Sequence, residues 1–314
     1  MKKTKLSVAE YMKDIKKNKL LYIMIIPVLI WYGLFYFKPL YGLTIAFKDF
    51  SPFMGITDSP WVGLDNFREL LFGKGSIYFW RALKNTIIIN FYGIVWFFPI
   101  PIILALFFFE MTNKVRRNFY QVILYLPHFI SVVVITSIII KLLSPSSGIV
   151  NQILVSLGII DKPIHFLIEP IYYRTIYILS AIWQNSGYSS IIYFASLMAI
   201  SPQLYEAAEL AGATWFQKVR YISLPGIKGT IMIMFILKIG SLLTLGYEKT
   251  LLLYTPQTYE VADILSTYIY RHGIQGAGDI SMVTAAELFQ ALIALTTTFI
   301  ANKIVKKYSE VSLW

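Results

Sequence analysis

Long apolar runs separated by short polar stretches dominate this chain, and their lengths set the first expectation. Six runs, at approximately 20–37, 86–109, 119–143, 174–199, 229–247 and 283–302, approach or exceed the roughly 20 residues that carry a helix across a hydrocarbon core of about 30 Å. None alternates apolar and polar residues as a barrel strand does, and lipid offers no partner for free backbone groups, so the runs predict helices. The expected fold class is an all-α membrane protein with six transmembrane helices. One polar, partly basic island, EAAELAGATWFQKVRYISLP, separates the fourth run from the fifth.

Orientation follows from lysine and arginine, which are retained on the cytoplasmic side. They crowd into 1–19, 110–118, 200–228 and 303–314 and are sparser in the intervening segments, which predicts that both termini are cytoplasmic. The tail 1–19 carries seven lysines with Leu6, Val8, Tyr11, Met12 and Ile15 among them. That spacing predicts an amphipathic helix on the inner membrane surface, with an unstructured basic tail as the alternative. The first apolar run has no small-residue cleavage site and is expected to be a retained helix. Pro99 and Pro101 predict a kink in the second run. The chain is expected to divide into the tail 1–19 and one six-helix permease domain over 20–314 that includes the cytoplasmic loop 201–225.

Composition supports the membrane reading and narrows the function. Apolar residues make up 57% and charged residues only 14%, too few charges for an ordinary soluble domain of 314 residues. The net charge of +11 sits in the tail and inner loops, where anionic lipid headgroups account for it; no separate basic domain points to nucleic acid. With no cysteine and three histidines, no disulfide framework and no metal constellation is expected. GxxxxGK[ST] is absent, so the chain carries no phosphate cradle of its own.

The island has its own helix grammar. Ser201 before Pro202 suits a helix start, because proline lacks the amide that would be unpaired there. The helix over 203–211 is expected to stop at Gly212, the residue type that most readily adopts a left-handed conformation. Thr214 and Gln217 have the spacing of a capping box that opens a second short helix, ended by Pro225. Glu206 and Glu209 share one face, and Ala207, Ala208 and Ala211 keep the surface narrow enough to enter a groove.

The order Glu-Ala-Ala, three residues, Gly, nine residues, Ile-x-Leu-Pro resembles the cytoplasmic coupling loop of type I ABC importer permeases. Together with YGLTIAFKDF, WVGLDNF, YLPHFIS, GYEKTLLLYTP, ADILSTYIYRHGI and SEVSLW, it is similar to the LplB-like subgroup of carbohydrate permeases over nearly the whole chain. One departure is Ala211, where many relatives have Asp. The resemblance implies the type I permease fold in a bacterial inner membrane. It also implies a second homologous permease subunit, two ATPase subunits that hold ATP and magnesium, and an extracellular solute-binding protein. ATPase-coupling residues by position are Glu206, Ala207, Ala208, Glu209, Gly212, Leu224 and Pro225, with Glu206 meeting basic groups on the ATPase.

Polar residues inside spans are expensive and tend to face a cavity or a partner. Lys238 is compatible with a path, a carboxylate partner or a snorkelling interface lysine. Glu287 and Gln290 are path candidates, with structural hydrogen bonding as the alternative. Trp183, Gln184, Asn185 and Tyr188 set rings beside amides, which suits sugars and equally suits helix packing. Glu248 and Lys249 are either a docking site for the binding protein or an exposed pair. The expected function is a non-enzymatic pore subunit for ATP-driven import of oligosaccharides, with acidic or polysaccharide-derived ones suggested by the subgroup alone. The alternative is an ion-coupled secondary transporter; an intramembrane enzyme lacks a plausible catalytic set.

Overall fold

In the computed structural model, residues 12, 14, 16–276 and 278–308 are described, without the Tyr308 side chain. The amphipathic helix expected over 1–19 and the segment SEVSLW therefore lie almost wholly outside the described residues. The described chain is helical, and its only pairing of extended backbone is an isolated bridge between Lys48 and Trp61. In order, the elements are α1 (Lys19–Phe47), α2 (Asp65–Phe72), α3 (Ser76–Glu110), α4 (Lys114–Phe129), α5 (Val132–Leu142) and α6 (Ile149–Ser156). Then follow α7 (Pro170–Met198), α8 (Pro202–Leu210), α9 (Trp215–Gly226), α10 (Lys228–Gly240), α11 (Tyr247–Leu253), α12 (Leu265–Tyr270) and α13 (Ile280–Tyr308).

Among the described residues, three helices are long and apolar enough to cross a membrane, α1, α3 and α13, and two bent pairs, α4 with α5 and α9 with α10, meet the same measure jointly. The 29 residues of α7 extend about 43 Å at 1.5 Å per residue, ample for a crossing. Its polarity is explained by its packing. Ser180, Ser186 and Ser190 are buried and return their hydroxyls to the carbonyls of Tyr177, Ile182 and Gly187. At Gly187 the helix touches α4 so closely that a Cβ would lie 2.1 Å from the Leu124 carbonyl oxygen. Small residues of this kind are how helices approach in lipid.

Two of the expected continuous runs are broken. The run 119–143 bends by 99° between α4 and α5. Pro127 sits in the last turn of α4, and Ser131 starts α5 by accepting the Val134 amide. The run 229–247 stops as a helix at Gly240, and its remainder is unwound. By contrast, α3 continues past Pro99 without breaking. A single wide turn over Gly93–Phe97, in which the Phe98 amide reaches the Gly93 carbonyl at 3.0 Å, precedes the proline. This relieves the clash that a proline ring makes with the carbonyl four residues earlier.

The core is divided along the bundle. One cluster at the loop end joins Ala105 and Leu106 of α3, Tyr193 and Leu197 of α7, and Val219 and Ile227 around α9. Two others surround α11 and α12, one centred on Phe79, Tyr268 and Ala285, the other on Ile135, Tyr173 and Ile264. Before Ala46, no residue of α1 is buried; its last turns pack on α13.

Candidate functional site

The loop between α7 and α10 folds as its local signals predict. α8 starts after Ser201, although the Ser201 side chain makes no capping bond, and ends in a left-handed turn with Gly212 at φ +76°. The Ala213 amide donates to the Ala208 carbonyl at 2.9 Å and the Gly212 amide to Glu209 at 3.0 Å, the paired bonds that close a helix over a left-handed glycine. Nothing lies within 4 Å of a Cβ placed on Gly212, so conformation alone requires the glycine. At the next start, Thr214 Oγ1 accepts from the Gln217 amide and Gln217 Oε1 accepts from the Thr214 amide at 2.7 Å. Pro225 does not end α9; it lies in its last turn, and the chain then bends by 63° into α10.

This hairpin stands on a buried foot and presents an exposed head. Val219, Ser223 and Ile227 are buried, the Tyr205 hydroxyl meets Ser223 Oγ at 3.0 Å, and the Tyr205 ring rests on Phe109 of α3. Gly226 allows the foot to close against Ile200, whose side chain would lie 2.5 Å from a Cβ. On the head, Glu206, Ala207, Glu209, Gly212, Leu224 and Pro225 are exposed and Ala208 is half-buried. Lys218 Nζ donates to Glu209 Oε1 at 2.7 Å, which holds the lysine above its ordinary pKa. Glu206 enters none of the three ion pairs among the described residues. Leu210 is 92% exposed, with Phe216 and Tyr221 also exposed. A polar loop with large apolar groups around a free carboxylate has the make-up of a protein-docking surface.

The polar residues of the spans do not form one site. Glu287 and Gln290 share a cavity of about 420 Å³ with Thr244, Tyr247, Ser266 and Tyr270. Lys238 borders a separate cavity of about 240 Å³ with Ser189, Tyr193 and Ser241, its Nζ 3.4 Å from Asn90 Oδ1. The quartet on α7 splits. Trp183 faces an apolar cavity of about 340 Å³ with Ile138 and Leu179, and Gln184 is buried, its amide 3.5 Å from the Ile130 carbonyl. Asn185 and Tyr188 both meet His128, which donates Nδ1–H to Asn185 Oδ1 at 3.0 Å and stacks on the Tyr188 ring at 3.9 Å. Glu248 is exposed, whereas Lys249 is not half of an exposed pair. It is buried over the Tyr177 ring, with Nζ 3.4 Å from the Tyr177 carbonyl.

Several residues that organise the bundle carry no motif. The unwound stretch after Gly240 exposes carbonyls that distant side chains satisfy: Asn90 donates to Leu242 at 2.5 Å, Gln290 to Leu243 at 2.9 Å and Ser266 to Leu245 at 2.6 Å. Gln290 thus has a structural partner as well as a cavity face. Asn85 donates to the Glu260 and Asp263 carbonyls, and Thr86 Oγ1 accepts the Leu265 amide. Buried backbone groups left open by a broken helix need such partners. The cluster Asn85-Thr86-Asn90 in an apolar run was the available signal. His128 lay beside Pro127, itself a break signal.

The fold and site together define a helical membrane bundle with broken spans and an exposed helix-turn-helix on a buried foot. Residues 97–309 match the family of binding-protein-dependent transport system inner membrane components, and the chain belongs to that family. It is 40% identical over 298 residues to the polygalacturonan/rhamnogalacturonan transport system permease YteP of Bacillus subtilis, covering 95% of this chain and 91% of the relative. Identity to LplB of Bacillus subtilis is 35% over 305 residues, with 97% and 94% covered. In structure it resembles a bacterial ABC transporter involved in import of the acidic polysaccharide alginate, with a TM-score of 0.86, 42% identity, and 95% and 99% of the two chains covered. The alginate transporter in complex with an alginate pentasaccharide-bound periplasmic protein gives 0.87 at 41% identity, with 96% and 99% covered.

Proposed function

We propose that this chain is the pore subunit of an ATP-driven importer of oligosaccharides, acidic ones released from polysaccharides in particular. Its six crossings are α1, α3, the pair α4 and α5, α7, the pair α9 and α10, and α13, with both termini and the loop 201–225 on the cytoplasmic side, where the basic residues concentrate. A second, homologous permease completes the pore, two ATPase subunits bind ATP and magnesium below it, and an extracellular solute-binding protein delivers the sugar. The observation that carries this reading is the loop: an exposed Glu206 among exposed apolar side chains, on a foot packed against α3 and α7. A rigid hairpin of this kind passes a push from the ATPase into the bundle, because its buried foot moves only with the helices it contacts.

Within the pore, the two cavities at Lys238 and at Glu287 and the His128–Tyr188 stack with Asn185 are the surfaces a sugar would meet, hydroxyls on the amides and C–H faces on the rings. The rival, an ion-coupled secondary transporter, needs no ATPase and responds to membrane potential. Reconstitution in liposomes separates the two. Uptake of trigalacturonate is expected only with ATPase subunits, ATP and loaded binding protein present. Uptake by this chain without an ATPase, driven by an ion gradient, would overturn the proposal.

A further inference from the structure

At the end of the bundle opposite the loop, a cavity of about 420 Å³ opens between α3, the first turns of α7 and the helical turn Tyr259–Ala262. Trp80, Arg81, Lys84, Asn85, Arg174 and Glu260 border it, three cations against one carboxylate. From Arg81 to Glu110, beside the loop, α3 rises about 44 Å at 1.5 Å per residue.

The cations are placed by buried structure. Asn85 is 2% exposed; its amide hydrogens hold the carbonyls of Glu260 at 2.9 Å and Asp263 at 3.0 Å, and its Oδ1 accepts from Arg174 Nη2 at 3.0 Å. Arg81 lies over the Tyr78 ring and 3.8 Å from Asp263 Oδ2. That carboxylate is already matched by Arg271 at 2.6 Å and Thr267 at 2.8 Å, so it offers Arg81 little. The Nε groups of both Arg81 and Arg174 are buried and have no hydrogen-bond partner. Lys84 is exposed and enters none of the ion pairs among the described residues. Arg174, which enters none of the ion pairs among the described residues, converges with the exposed Lys84 and with Arg81, which shares Asp263, on one space; the excess of cations favours an incoming anion, and planar guanidinium forks suit a carboxylate.

We propose that this cavity is an outer subsite for the carboxylate of an acidic sugar, engaged by Arg81, Lys84 and Arg174 as the oligosaccharide enters the pore; the inference rests on the import of acidic oligosaccharides proposed above. Glu260 accepts sugar hydroxyls at the rim. Trp80, anchored by its indole N–H to the Leu71 carbonyl at 3.0 Å, offers a half-exposed ring for the C–H face. Asn85 is a positioning residue that aims Arg174. A phospholipid headgroup shares the negative charge and is separated from a sugar by nanodiscs of defined lipid.

The test is lysine labelling of the complete transporter in phosphatidylcholine nanodiscs, read by mass spectrometry at Lys84. Trigalacturonate at about four times its Kd is expected to slow labelling about fivefold, while neutral galactotriose leaves it unchanged. Arg174→Gln is expected to abolish that protection and Arg174→Lys to retain part of it. No protection, or equal protection by both sugars, overturns the subsite. Protection by phosphatidylglycerol nanodiscs without sugar assigns a lipid instead and also overturns it. Uptake assays distinguish the two readings: protection without uronate uptake leaves the subsite standing and removes the import reading, whereas uptake without protection removes the subsite alone.

Discussion

The loop 201–225 and the segment 241–265, unwound around the short helix α11 and the turn Tyr259–Ala262, both interrupt a helical bundle, yet they are held in opposite ways. The loop satisfies itself: Ala213 and Gly212 close α8, and Thr214 with Gln217 opens α9, all partners within five residues. The unwound segment depends on side chains far away in sequence, Asn85, Thr86 and Asn90 of α3 and Gln290 of α13. The physical reason is solvent. An exposed loop has water for its remaining groups, while buried backbone has only the neighbouring helices. The loop keeps its own shape and meets the bundle only through its buried foot, whereas the unwound segment is tied to the cavities it lines.

That contrast can be broken at either region. Asn85→Leu strands two carbonyls and an Arg174 donor, and at about 1–3 kcal/mol per stranded group it is expected to destabilise the protein by about 3 kcal/mol or more. A thermal unfolding midpoint equal to that of the unaltered complex would show that the unwound segment does not need α3. Glu206→Lys is expected to reduce ATP-driven uptake about 30-fold or more, a reversed docking charge being worth about 2 kcal/mol or more. Its unfolding midpoint is expected to stay in place, and unchanged uptake would count against the loop's role. Gly212→Ala forces a side chain into the left-handed region at about 1–2 kcal/mol, and Gly212→Asn is expected to cost less in the same unfolding measurement. Equal loss from both would point to crowding instead of conformation. Smallest of all, Glu209→Gln removes only an exposed pairing with Lys218, and uptake is expected to remain within about twofold of normal.

Between these regions lies the limit of what sequence spacing reveals. Gly212, Thr214 and Gln217 were readable because a left-handed turn and a capping box are local geometries with local residue preferences. The positions of α3, α7 and α13 were readable as well, from run length. Span boundaries at 130 and 240 were not, since an apolar residue serves a straight helix, a bent one and a buried unwound strand equally well. Lys249 shows the same ambiguity: beside Glu248 it reads as surface, and only the Tyr177 ring above it reveals a buried cation. The α7 quartet shared one short stretch of helix yet faced three surroundings, because neighbours 100° apart around a helix meet different partners.

By itself the sequence determined a helical membrane protein, the local fold of the loop 201–225 and the family to which the chain belongs, because hydrophobic run length and short-range capping rules act within a few residues. Tertiary structure alone decided where the spans break, which polar side chains hold the broken backbone and which cations converge on the cavity beside Trp80. Those outcomes depend on pairing across the bundle, between residues such as Asn85 and Asp263 that are 178 positions apart, and no local pattern encodes a partner at that distance.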